Sequence, residues 1–210
     1  MRESIERAAI AGIIGATVIA FGGVITQVVQ ASGTVGSHQV SYPWTPGAMW
    51  TIEPMWASAQ LLMVIGLWGV HRSGVAGRTR SASAGMSMAI TGAAGIGACE
   101  LVLTAFRTQR IDDVGPGIVL ALFGLFSVTQ AIGLVVAGRA ALKSGRLGGW
   151  RRLTLLAAGV WSVALIGLQF TALLPSAVAV YGCSMLAVFV ALLESERVTE
   201  PTTPGVHAAA

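Results

Sequence analysis

Six long apolar stretches, at about residues 8–30, 54–71, 84–106, 116–138, 153–174 and 176–193, leave this chain few folds to choose from. Each is close to the ~20 residues that a helix needs to cross a hydrocarbon core about 30 Å thick, with the second and sixth at the short end. The runs are continuously apolar and do not alternate. Hydrocarbon offers no partner to a free backbone N–H or C=O, so helices are expected and a β-barrel is not. Composition agrees: 54% of residues are hydrophobic, 10% are charged and mean hydropathy is +0.75, outside the range of a soluble domain. The expected fold is an all-α integral membrane protein, a single six-transmembrane-helix bundle over 1–193. A disordered tail follows over 194–210, with Pro201, Pro204 and no apolar periodicity.

Charge placement predicts the orientation. Eleven of the thirteen basic residues fall before the first run (Arg2, Arg7), after the second (Arg72, Arg78, Arg80), after the fourth (Arg139, Lys143, Arg146, Arg151, Arg152) or in the tail (Arg197). Arg107 and Arg110 alone fall on the other side. The positive-inside rule then puts both termini in the cytoplasm, and the basic loops there are expected to meet anionic lipids of the bilayer. The same asymmetry accounts for a pI of about 9.8, so no nucleic-acid partner is inferred. Val29-Gln30-Ala31 would suit a signal-peptide cleavage site, but the first apolar run outlasts the roughly 7 to 15 residues of such a segment and Glu3 and Glu6 dilute its positive flank. An uncleaved span is expected. Twelve arginines against one lysine, with abundant Ala and Gly, suggest a GC-rich bacterial genome and a multi-pass protein of the plasma membrane.

Within the apolar runs Glu100 is the one acidic residue. A carboxylate at membrane depth costs a few kcal/mol or more unless neutralised or paired, which makes it a site candidate by default. Counting ~1.5 Å per residue from the outer boundary places Gln60, Glu100 and Gln169 about 9 to 10 Å down, with Tyr181 near that level, Gln27 shallower and Gln130 deeper. Gly85, Ala89, Gly92, Ala93 and Gly97 share the side of Glu100 at ~100° per residue, so that side is expected to meet other helices. Arg107, seven residues on, leans back toward Glu100 and is a candidate partner through Thr104 or water. Two readings fit this layer. Its groups hydrogen-bond between helices and hold the bundle together, or Glu100 exchanges a proton or binds a cationic or polar ligand from outside.

The longest outer loop, 31–53, has no Lys or Arg and carries Tyr42-Pro43-Trp44-Thr45-Pro46-Gly47 followed by Trp50. Two X-Pro steps bias it to an extended cap or hairpin, and Pro54 suits the first turn of the second helix. Tyr42, Trp44 and Trp50 belong to an interfacial belt or form a lid over an outward-facing pocket. Cys99 and Cys183 form no CxxC pair and read as small packing residues. No HExxH, P-loop, GxSxG or dinucleotide motif is present, and no His lies at membrane depth to serve Ser87. The sequence therefore predicts no enzyme, cofactor or metal. It predicts an accessory, sensor or assembly protein with a membrane-protein partner, with a small secondary transporter or channel using Glu100 as the alternative.

Overall fold

The structure is a computed structural model that describes residues 2–33, 35–169 and 171–198. Six long helices make up the described chain: α1 (Arg2–Ser32), α2 (Pro46–Ser73), α3 (Arg80–Leu103), α4 (Val114–Ser144), α5 (Thr154–Leu168) and α6 (Leu174–Val198). Short 3-10 turns extend α3 at Thr104–Phe106 and precede α5 at Gly149–Leu153. Five of the six are long and apolar enough to cross a membrane. The exception is α2, where Glu53, Ser58, Gln60, His71 and Arg72 dilute an otherwise apolar helix of 28 residues.

Each helix packs against the next in the chain, and α6 returns to α1, closing a ring. Consecutive helices run antiparallel. Along α3 and α4, Gly85 lies against Ala137 while Gly92 lies against Gln130; along α1 and α6, Gly12 lies against Phe189 while Gly23 lies against Ala179. Small residues make this approach possible, because van der Waals contact has to hold together helices that gain nothing by hiding apolar surface from lipid. A methyl group on Gly133 would stand 2.4 Å from the Ala89 nitrogen, and one on Gly92 would stand 2.5 Å from the Gln130 nitrogen. The expected stripe of α3 thus splits: Gly85, Ala89 and Gly92 serve α4, whereas Gly97 faces Gln60 of α2. Met63, Leu67, Met86, Leu134, Met185 and Phe189 fill the middle of the ring and are fully buried.

The bundle has two unlike ends. Its basic end gathers Arg72, Arg78, Arg80, Arg139, Lys143, Arg146, Arg151 and Arg152; its loop end carries the 33–45 and 107–113 connections. The two loops at the loop end are tied to each other. Gln39 pairs with Arg110 as an antiparallel bridge, with Val40 N donating to Gln109 O at 3.0 Å and Ile111 N to His38 O at 3.0 Å.

Several element bounds differ from expectation for local reasons. Helix α2 begins eight residues before the expected 54, because Thr45 caps it (Ala48 N to Thr45 Oγ1, 3.3 Å) and Pro46 takes the first helical position, where its missing N–H costs nothing. Pro54 is therefore internal to the helix. Helix α5 stops at Leu168, short of 174, and the turn bonds Thr171 N to Leu168 O and Leu174 N to Thr171 O replace the near-continuous connection expected there. Helix α6 runs on to Val198 through the start of the expected tail, whose remainder, 199–210, lies outside the described residues. Cys99 is buried beside Met49, Leu103 and Val119, but Cys183 is exposed on the outer surface of α6 and does not pack inside.

Candidate polar site between α2 and α3

A buried hydroxyl in a helix can donate to the carbonyl one turn back, and those here do: Ser127 to Phe123 O at 2.8 Å and Ser162 to Ala158 O at 2.7 Å. Longer amide and carboxyl side chains need a partner on another helix. Gln27 has one, since its Oε1 accepts from Ser176 N at 3.2 Å and Ser176 Oγ at 2.9 Å, joining α1 to the first turn of α6. Gln130 has one too. Its Nε2 donates to Tyr181 Oη at 2.6 Å across the interior of the ring, and both side chains are buried.

Gln60 and Glu100 do not follow this pattern. Gln60 is 6% exposed and Glu100 8% exposed, yet Gln60 Oε1 and Glu100 Oε2 have no hydrogen-bond partner among the described residues. Gln60 leans on α3, where a methyl group on Gly97 would stand 3.1 Å from its Cβ, and Glu100 lies one turn beyond Gly97 toward the loop end. The early start of α2 adds a third member. Glu53 sits seven residues before Gln60 on the same helical face, is half-buried, and is close enough to Glu100 for the two carboxylates to repel. Glu100 is also within electrostatic reach of Tyr181 and Cys99.

Arg107 does not neutralise this pair. Its guanidinium lies over the Trp50 ring, 4.3 Å from the centroid, and Nη1 donates to Thr104 O at 3.3 Å. The 3-10 turn at Thr104–Phe106 breaks the helical phase that would have carried Arg107 back over Glu100. Tyr181 is committed to Gln130, and Gln169 caps the end of α5, half-buried, on a helix that packs chiefly against α4 and α6. Of the expected layer, Gln60 and Glu100 come together, Tyr181 is a neighbour, and Gln169 and Arg107 stand apart. Of the expected lid, Tyr42 and Trp44 are half-buried in the 33–45 loop, while Trp50 is helical, 58% exposed and stacked with Arg107. Ser41, buried beside them, leaves its Oγ unpaired as well.

Glu53, missed in the sequence because Pro54 looked like a helix start, was signalled by Thr45-Pro46, an N-cap followed by proline at the first helical position. The resulting group is rich in acceptors: two carboxyls and an amide oxygen. Two carboxylates in a low-dielectric seam repel strongly, and one proton or one cation between them relieves the repulsion. A donor from a ligand, an ammonium or a guanidinium, would serve equally. No protein-family model matches this chain, and no curated protein or solved structure is significantly similar to it.

Proposed function

We propose that the chain is a six-span protein of a bacterial plasma membrane with both termini in the cytoplasm. In this reading it is an accessory, sensor or assembly protein, without catalysis of its own, whose outward-facing acidic seam takes up a proton or the cationic group of a ligand or partner. The carrying observation is the pair of unpaired oxygens, Gln60 Oε1 and Glu100 Oε2, buried on facing helices with Glu53 beside them. An unmade hydrogen bond on a buried polar atom costs about 1 to 3 kcal/mol, so a structural role alone leaves that cost uncompensated. Placing α2 as a sixth span is supported by its 28 residues and by its packing between α1 and α3, both apolar enough to cross a membrane. The inward orientation of the basic end rests on the positive-inside rule.

The transporter alternative needs a route from this seam to the other end. What favours a sensor over a conduit is the packed interior there, where Met63, Leu67, Met86 and Phe189 are fully buried. The test is thermal unfolding of the purified full chain across pH, sodium, potassium and a series of alkylammonium ions, alongside Glu100→Gln. At least one cation, or protonation, should raise the midpoint of the wild type by clearly more than that of the variant, which keeps Glu53 but lacks the second carboxyl. Identical responses from both proteins would end this reading, and cation or proton uptake into wild-type but not variant proteoliposomes would replace it with the transporter.

A further inference from the structure

The α2–α3 seam lies near the loop end; a different cluster stands at the basic end. Arg146, just after α4, reaches across to the α2–α3 connection, where its Nη1 donates to Gly74 O at 3.0 Å. Arg78 arrives at the same place from the connection itself. A methyl group on Gly74 would stand 3.2 Å from Arg146 Nη1 and 3.7 Å from Arg78 Nε, so two guanidiniums converge over this one left-handed glycine (φ 70°).

Nothing in the described chain balances them. The ion pairs among described residues are Arg7–Glu3, Arg110–Asp112 and Arg151–Glu194. Arg78 makes no hydrogen bond there, and the Arg146 guanidinium spends one donor on Gly74, leaving the rest of its five N–H groups open. Both side chains are exposed. Helix α3 starts two residues after Arg78, adding the positive end of its dipole, with Thr79 Oγ1 accepting from Ala82 N at 3.2 Å and sharing a hydrogen bond with Ser81 Oγ at 3.0 Å. Like charges held together at a helix start, with forked donors unspent, match the geometry of a phosphate. The level within the bundle identifies the source. Trp68, half exposed with Arg72 stacked 4.5 Å from its ring centroid, marks an interfacial belt at this end of the membrane-length helices, where phospholipid headgroups lie.

We propose that Arg78 and Arg146 form a binding site for the headgroup phosphate of an anionic phospholipid. The site is independent of the Glu53–Gln60–Glu100 seam. Free phosphate shares the same chemistry, so the experiment separates the two sources. The full chain in detergent is examined by native mass spectrometry with phosphatidylglycerol, with phosphatidylcholine, and with phosphatidylglycerol plus inorganic phosphate. The wild type should retain phosphatidylglycerol in preference, and R78Q/R146Q should lose that preference, with affinity falling about fivefold for each guanidinium removed. R139Q/R152Q removes the same charge from exposed positions elsewhere at this end and should keep it. R78Q alone, which breaks no hydrogen bond within the chain, should weaken retention about fivefold while leaving the melting temperature unchanged. Equal loss in the R139Q/R152Q control, equal retention of both lipids by the wild type, or displacement of phosphatidylglycerol by inorganic phosphate would each overturn the proposal.

Discussion

Gln130 of α4 and Tyr181 of α6 meet across the interior at 2.6 Å, whereas Gln60 of α2 and Glu100 of α3, buried to a similar degree, leave an oxygen each unmatched. The backbones around the two pairs differ in the same way. A methyl group on Gly92, beside Gln130, would drive into backbone nitrogen at 2.5 Å, while one on Gly97, beside Gln60, would meet a side-chain carbon at 3.1 Å. A polar group immobilised by touching backbones and bonded to a partner on another helix is a structural clasp. A polar group in a looser seam with capacity to spare can accept something from outside. Depth and residue type alone would not have told these two apart.

The comparison breaks most sharply at the glycines. Gly92→Ala should cost about 3 kcal/mol or prevent folding, because the clash is with backbone that cannot turn aside, while Gly97→Ala should cost about 1 kcal/mol or less. Thermal unfolding and the yield of monodisperse protein measure both, and equal losses would erase the distinction between the seams. Next in size is a difference of sign. Gln130→Leu strands the Tyr181 hydroxyl and should destabilise by about 1 to 3 kcal/mol. Glu100→Leu removes an unpaired buried carboxyl and should stabilise by about 1 to 2 kcal/mol in the absence of any cation. A destabilised Glu100→Leu would mean that the carboxyl is satisfied after all. Smaller still, Gln27→Leu removes the acceptor for Ser176 at the start of α6 and should cost about 1 kcal/mol in the same assay. Last, Trp50→Ala forfeits a solvent-exposed cation–π contact with Arg107 and should lower stability by about 0.5 to 1 kcal/mol without altering the cation response of the seam.

Much of the fold was legible in the sequence because run length and small-residue spacing are direct images of bilayer thickness and close helix contact. Counting rise along the helices even brought Gln60 and Glu100 to one level. The same counting paired Tyr181 with that level and left out its actual partner, Gln130, since rise gives depth but not direction around a ring of six. Arg107 went astray for a related reason: three residues of 3-10 turn rotate everything beyond them. Glu53 was hidden by a competition between two prolines, either of which could have opened α2. Thr45 decides for Pro46 by supplying the cap that Pro54, preceded by glutamate, lacks.

The bridge between Gln39 and Arg110 also bears on the order in which the molecule assembles. Its two hydrogen bonds join segments separated by all of α2 and α3, so closing the loop between them cannot be repaid until those helices have already paired. Helices that insert and dock one after another would leave the two loops apart until α3 has docked on α2. The strap between the two loops then forms only after the α2–α3 pair does, and with two hydrogen bonds on connecting loops it is among the first features to open when the folded protein fluctuates.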